Sequence, residues 1–390
     1  MAAPEPSTSI LSVDPDGDLV LLLEPIPIKS FEPSASKTSI NPPVSTIFGT
    51  PPATFTGATP VSDLGTAEPK PTQLYKFHIL VSSKHMSLAS PVFKAMLQGY
   101  FQEATELRKT GKTEIPLPDD NATAMIILID IIHGRFKSVP KLLDLPTLTH
   151  LAILVDKYRC HELIELLRTT WTTDVHHGNT WLLNWNNVAC WICVTWVFEL
   201  DAGFEEATEK VIRQSATGLR EILKSNELHL PIPEEVIDKV DKRRQTAVSL
   251  LVGILEDIIS KYQGTTLICP NCFTCQRLPV YGRPGEFANS EDIKLHRRDC
   301  DALVLGSLIK SAAEQCLLPL PQAPLYKSLT FSTLKEKIES LKVTTGCFKV
   351  LKRASDDHGV LKILKNSVAV VDSQISGLDL ADFKKSSRGA

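Results

Sequence analysis

The stretch from residue 75 to residue 101 most constrains the fold. Its apolar residues change from the alternating pattern of a strand to the spacing of a helix, and no long loop fits between the two parts. Its first part, YKFHILV, is an apolar run of strand length. Four apolar residues of the second part share one face of a predicted helix over 87–99, in which Pro91 is tolerated near the first turn: Leu88, Val92, Ala95 and Met96. The stretch therefore predicts a strand followed directly by a short helical hairpin.

A second strand is predicted at 18–24, where the run LVLLL lies between Gly17 and Pro25. The intervening residues 25–74 include 10 prolines and 14 serines or threonines, so no periodic apolar face forms. Such a segment buries too little surface to offset its ordering entropy, and we expect disorder. Because loop-closure cost grows only slowly with length, we predict that 18–24 and 75–81 pair as neighbouring strands across this insert.

The residues that follow alternate one more strand with helices. A short strand is predicted within EIPLPDD at 114–120, leading to an acidic helix N-cap. Helices are predicted at 121–134, 147–159 and 160–171 from apolar residues at helical spacing. The order of two strands, a helix pair, a strand and three helices indicates an α+β fold.

Several short segments in this order resemble the BTB/POZ domain, in the form found in filamentous fungi. The matching segments are the turn and strand at 16–24, VSSKHM at 81–86, ASPVFKAML at 89–97, Phe101 with Glu103, Leu117 to Asp120, His133 with Gly134, and VDKYRC at 155–160. The resemblance implies a BTB/POZ fold, a small mixed sheet flanked by helices, over 17–170 with the insert at 25–74. Residues 1–16 show no periodicity and are predicted to be disordered. They also lack the amphipathic helix that dimeric animal members swap, which weakens the prediction of a homodimer.

The rest of the chain is predicted to be largely α-helical. Residues 171–262 are assigned to a helical extension that includes all five tryptophans, and its aromatic helix is predicted to be buried core. Residues 263–316 contain a Cys/His segment and a helix, and 317–390 contain a proline-rich connector and C-terminal helices. The connector at 317–321 and the tail at 377–383 also match the fungal BTB pattern, so the resemblance covers the chain except the insert.

One group of cysteines and histidines has the spacing of metal ligands. Cys269 and Cys272 form a CxxC pair, and His296 and Cys300 lie four residues apart on a predicted helix that begins near Ser290. Thiolate and imidazole are the ligands that structural zinc sites use. Two interpretations stay open at this point, a structural zinc and partly buried thiols without a metal. With four protein ligands, such a zinc would have no open position for a substrate.

Composition and motifs exclude several classes of function. The net charge of -3 gives no electrostatic footprint for nucleic acid or an anionic membrane. No apolar run is long enough to span a bilayer, and the N-terminus lacks a secretory signal, so a cytoplasmic or nuclear protein is expected. Nine thinly spread cysteines fit reduced thiols. The Walker, GxGxxG, GxSxG and HExxH motifs are all missing from the sequence, so we do not expect an enzyme.

The resemblance implies a protein-binding module. We expect a partner to bind a groove formed by helix faces around Phe93, Met96, Tyr100 and Phe101. By resemblance, the first candidate function is an adaptor that links a target to a cullin-type ubiquitin ligase. The alternative is a transcriptional scaffold that recruits corepressors without touching DNA.

Overall fold

A computed structural model describes residues 9–23, 77–178, 180–182, 184–270, 289–321, 326, 328–347 and 357–387. The chain divides into two compact units, residues 1–136 (unit 1) and 137–390 (unit 2). This division falls inside the range 17–170 that the resemblance implies to be one domain. The predicted disorder of 25–74 lies outside the described residues.

Unit 1 is a small mixed sheet with helices, as expected for an α+β fold. Its described elements are β1 (Ser9–Ser12), β2 (Leu19–Leu23), β3 (Phe77–Val81), α1 (Ser83–Ala89), α2 (Pro91–Gln98), α3 (Gln102–Thr110), β4 (Thr113–Leu117) and α4 (Ala122–Ile132). The strand order is β1-β3-β2-β4. The N-cap of α4 is Asn121, whose side chain accepts from the Ala124 amide, and not the predicted acidic residue.

The pairing of β2 with β3 across residues 24–76 is confirmed. The two strands are antiparallel, with Leu21 opposite Ile79 and Leu23 opposite Phe77. On its other side β2 pairs in parallel with β4. Alternate residues of β2 are buried, because successive side chains of a strand point to opposite faces. The hydrophobic pattern therefore sets the register of the central strand.

The N-terminal region contains a strand that the sequence analysis misses. Ser9–Ser12 forms β1 and pairs in parallel with β3. The prediction of disorder for 1–16 is therefore wrong for these residues. Because β1 is a short edge strand with Ile10 and Leu11 exposed, it has no buried alternation that a sequence pattern could reveal.

The predicted helical hairpin is confirmed as α1 and α2, but the bounds 87–99 predicted for one helix are wrong, because the chain turns at Ser90. This residue ends α1 by donating its amide to the Met86 carbonyl, and its hydroxyl accepts from the Phe93 amide to cap α2. Pro91 then occupies the first position of α2, where its missing N–H costs nothing. As a result Leu88, predicted to face the core, is 89% exposed.

Replacing residues 24–76 with a four-residue turn is expected to preserve unit 1 and stabilise it. Leu23 and Phe77 are paired in the β2–β3 ladder, so a hairpin turn can join the strand ends. Shortening the connection to this length lowers its closure cost by about 2 kcal/mol. Chemical denaturation of the full chain and of the shortened chain measures the difference. A shortened chain whose β2 amides exchange freely would contradict the pairing.

His133 joins the end of α4 to the start of α1 as a neutral ring. Its Nδ1 lies 3.0 Å from the Ile129 carbonyl, and its Nε2 accepts from the Ser82 amide at 3.1 Å. Burial lowers the pKa of His133, and the neighbouring His85 and Arg135 lower it further, against the Ile129 hydrogen bond and Asp14. His133 therefore acts as a neutral hydrogen-bond acceptor at the end of α4.

Unit 1 is expected to lose stability as the pH falls below about 6.5, the ordinary pKa of histidine. Because the pKa of His133 is lower in the folded state, the unfolded chain binds the proton more readily. The contribution of His133 to the unfolding free energy is therefore fully present above about pH 6.5 and is lost as the pH falls below it. Exchange of the Ser82 amide at pH 7.5 and pH 5.5 reports the change locally. His133→Gln is expected to weaken the pH dependence, whereas Lys84→Gln, on an exposed residue of α1, is the control. Equal pH dependence in all three proteins would contradict the assignment.

Unit 2 is built from helices. Its described helices are α5 (Leu145–Tyr158), α6 (His161–Ile164), α7 (Arg168–His177), a 3-10 turn (Thr180–Leu182), α8 (Trp185–Val197), α9 (Asp201–Gln214), α10 (Leu219–Ser225), α11 (Glu234–Gln263), α12 (Ser290–Glu314), α13 (Phe331–Glu339), α14 (Val360–Gln374) and α15 (Ala381–Ser387). The long helix α11 packs against α9, α12, α13 and α14. It is therefore the element around which the C-terminal helices assemble.

The tryptophan-rich region is mainly core, as predicted. Trp171, Trp181 and Trp191 are almost fully buried, and α8 packs against α5 and α9. Cys190 and Cys193 also lie inside this core, and burial raises the pKa of Cys190 to about 11. Thiols of this kind are inert. Within the described part of the chain, no helix combines the length and the apolarity needed to cross a bilayer.

Candidate metal centre

Four segments of unit 2 bring three thiols and one imidazole together. Cys269 follows α11, Cys300 lies within α12, Cys347 lies in a helical turn at 346–347, and His358 lies in the turn before α14. Because α11 packs against both α12 and α14, the start of α14 and the middle of α12 come close to the residues that follow α11. The centre therefore depends on helix packing.

The distances between the ligand atoms match those of a tetrahedral metal site. All four atoms lie within 4.8 Å of one another. Sulfur–sulfur distances are 3.8 Å for Cys269–Cys347 and 4.0 Å for Cys300–Cys347, and His358 Nε2 lies 3.6 and 3.3 Å from the sulfurs of Cys269 and Cys300. Zinc bonds of about 2.3 Å to sulfur and about 2.0 Å to nitrogen place tetrahedral ligand atoms about 3.8 Å (S–S) and about 3.5 Å (S–N) apart. A disulfide requires about 2.05 Å, so these thiols are not bonded to each other.

The electrostatics of the group favour a cation. Cys269, Cys300 and Cys347 are fully buried and pack against Ile293. A hydrogen bond from Cys269 lowers the pKa of Cys300 to about 5, while the same hydrogen bond and burial raise the pKa of Cys269. The two neighbouring sulfurs therefore disfavour carrying negative charges side by side. A bound divalent cation removes that repulsion and allows all the thiols to deprotonate.

Helix α12 also holds the backbone around Cys269. The buried side chain of Asp301 accepts hydrogen bonds from the amides of Ile268 and Cys269, both at 2.8 Å. Arg297 donates from Nε to the Cys269 carbonyl at 2.7 Å. Because Asp301 follows Cys300 directly, one helix positions two of the four ligands.

The other two ligands are fixed by local turns. The Gly346 amide donates to Cys300 Sγ at 3.1 Å, and a Cβ at position 346 would meet the Cα and Cβ of Cys300 at 3.3 Å. Next to His358, the Asp357 carboxylate accepts from the amides of Gly359 and Leu361. This turn places His358 at a φ of 55°. Glycine at 346 thus allows the Cys347 turn to approach α12 without crowding Cys300.

The prediction from sequence finds half of this group. Cys269 and Cys300 are members, and α12 begins at Ser290 as expected. His296 is not in the group of four, although its Nε2 lies 3.4 Å from Cys347 Sγ. Cys272 lies outside the described residues.

Cys347 and His358 are the ligands that sequence reasoning misses. Cys347 lies 78 residues after Cys269, and His358 lies 89 residues after it. No short ligand spacing connects these residues to the CxxC pair. The sequence feature that could have pointed to these two residues is a neighbouring glycine outside a continuous apolar run, Gly346 for Cys347 and Gly359 for His358.

The predicted protein-binding residues separate into buried and exposed positions. Phe93 is fully buried in unit 1, so the prediction that it lines a groove is wrong, because its side chain belongs to the core under α2. Met96 is half-buried. Tyr100 is fully exposed and Phe101 is 58% exposed, between α2 and α3. Of the four predicted residues, Tyr100 and Phe101 are therefore the two whose rings are exposed to a partner.

Comparison with models of protein families, with curated proteins and with solved structures finds no match to this chain.

Proposed function

We propose that this protein is a non-enzymatic interaction protein in which one structural zinc ion stabilises unit 2. The observation that carries the zinc centre is the convergence of Cys269, Cys300, Cys347 and His358 within 4.8 Å. Three thiolates and one imidazole are soft ligands that suit zinc better than magnesium or calcium. Four protein ligands complete a tetrahedral site, so the ion stabilises the fold and does not take part in catalysis.

Zinc stoichiometry tests this centre directly. The full chain, purified from zinc-supplemented cells, is expected to contain one zinc per chain by native mass spectrometry and elemental analysis. Cys300→Ser removes a ligand and is expected to abolish stoichiometric zinc. Cys316→Ser is the matched control, since Cys316 is exposed and not a member of the group. Wild-type protein without zinc, or equal zinc in both variants, contradicts the proposal.

For unit 1 we propose a BTB-type adaptor that binds a cullin-type partner. Two observations support it: β2 and β3 pair across the insert, and the aromatic rings of Tyr100 and Phe101 are exposed. Adjacent exposed aromatic side chains are the residue types that anchor protein interfaces. The corepressor scaffold uses the same surface for another protein partner.

Binding to a purified cullin N-terminal domain distinguishes the two partners. The wild-type chain is expected to bind, and Tyr100→Ala with Phe101→Ala is expected to weaken binding at least about tenfold, because hot-spot aromatics contribute about 2 kcal/mol or more. Lys109→Ala, on the exposed side of α3, is the control. Hydrogen exchange of β2 checks that unit 1 stays folded. No binding by the wild-type chain contradicts the cullin adaptor and leaves the corepressor scaffold.

A further inference from the structure

We infer that His296 is a positioning residue of the metal centre, which donates a hydrogen bond to the Cys347 thiolate and thereby strengthens metal binding. This inference rests on the proposed zinc centre and deepens it. His296 lies one helical turn before Cys300 on α12, so its ring is on the side of the helix that faces the cluster. Its Nε2 lies 3.4 Å from Cys347 Sγ, within the range of an N–H···S hydrogen bond.

The geometry assigns His358, and not His296, as the nitrogen ligand. The Nε2 atom of His358 lies 3.6 Å from Cys269 Sγ and 3.3 Å from Cys300 Sγ, so it occupies one corner of the tetrahedron. His296 is outside the group whose ligand atoms all lie within 4.8 Å. A tetrahedral zinc accepts four ligands, and the three cysteines and His358 already supply them. His296 therefore does not bind the metal itself and acts through its hydrogen bond to Cys347.

The charge of the centre explains why such a donor matters. Three thiolates, one neutral imidazole and one divalent ion carry a net charge of about -1 in a buried environment. A buried charge without hydrogen-bond partners is costly. The Gly346 amide donates a hydrogen bond to Cys300 Sγ, and the N–H of His296 donates in the same way to Cys347 Sγ. The removal of outer partners of metal ligands lowers metal affinity about 10- to 100-fold.

Metal affinity and the cobalt spectrum of the full chain test this role. Affinity for zinc is measured by competition with a chromophoric chelator, and cobalt replaces zinc as a spectroscopic probe. His296→Ala is expected to weaken zinc binding about 10- to 100-fold. The ligand-field bands of three sulfurs and one nitrogen are expected to remain, and the thiolate-to-cobalt charge-transfer band is expected to shift to lower energy.

Three further variants complete the design. His296→Gln retains an N–H donor and is expected to recover part of the affinity. Arg298→Ala changes an exposed residue of α12 and is expected to match the wild type. His358→Ala removes a ligand and is expected to change the ligand-field bands.

The outcomes separate this inference from the zinc centre itself. Unchanged affinity in His296→Ala overturns the positioning role while the centre stands. Ligand-field bands in His296→Ala that change like those of His358→Ala also overturn it, because they make His296 a ligand. Failure of the wild-type chain to bind zinc or cobalt overturns the proposed centre, and the inference with it.

Discussion

Zinc removal by a strong chelator is expected to unfold the part of unit 2 around the metal centre. Zinc binding to structural sites contributes about 10 to 16 kcal/mol at neutral pH. This is comparable to the whole stability of a domain, about 5 to 15 kcal/mol. The four candidate ligands come from segments that follow α11, lie within α12 and precede α14, so removing the ion removes the group that would join these segments.

Hydrogen exchange with and without chelator locates this loss. Protection is expected to fall in α12 and in the turns at 346–347 and 357–359, while β2 of unit 1 keeps its protection. The same loss is expected in Cys347→Ser without chelator, and Cys316→Ser is the control with an exposed cysteine. A thermal unfolding curve that the chelator does not change would contradict a structural role for the metal.

Arg244→Ala is expected to destabilise unit 2 by about 3 to 5 kcal/mol, because it removes the hydrogen-bond donor of three carbonyl groups. Arg244 lies on α11 and is 2% exposed. It donates to the carbonyl of Ser215 at 2.7 Å, of Ala216 at 2.5 Å and of Leu329 at 2.9 Å. One guanidinium thus joins α11 to the segments after α9 and before α13.

The physical reason is the loss of every donor to three carbonyl groups at once. Each carbonyl left buried without a partner costs about 1 to 3 kcal/mol. Burial lowers the pKa of Arg244, and the nearby Asp241 offsets part of this effect. The guanidinium stays charged because the ordinary pKa of arginine is far above neutral pH.

Urea denaturation monitored by tryptophan fluorescence measures the effect, since the tryptophans of unit 2 report on its core. Lys242→Ala is the matched control, because Lys242 is an exposed cation on the same helix. Its unfolding free energy is expected to stay within about 0.5 kcal/mol of the wild type. Equal stability of the two variants would show that the three carbonyls find other donors.

Hydrophobic periodicity predicts those elements whose side chains alternate between core and solvent. The β2–β3 pair is predicted and confirmed, because Leu19, Leu21 and Leu23 form a buried face that a one-residue slip would turn to solvent. The helical character of 171–262 and the start of α12 near Ser290 are also predicted and confirmed. The strand β1 is not predictable in this way, because its hydrogen bonds to β3 and not its own pattern make it a strand.

The candidate site shows the same division. Cys269 and Cys300 are predicted from a CxxC pair and from a histidine and cysteine at helical spacing. Cys347 and His358 are separated from Cys269 by long stretches of chain, and no local spacing marks them as ligands. The BTB resemblance, the partner and the cellular compartment stay predictions.

The sequence by itself determined the strand that resumes after the insert, the long helices of unit 2 and two of the four ligand positions. These depend on contacts between residues close in the chain, which a periodic pattern records. Only the tertiary structure decided that Cys347 and His358 join Cys269 and Cys300, that His296 lies beside this group, and that Phe93 is buried. Each of these depends on which helices pack together, and the packing of α11 against α12 and α14 brings into contact residues that no local pattern connects.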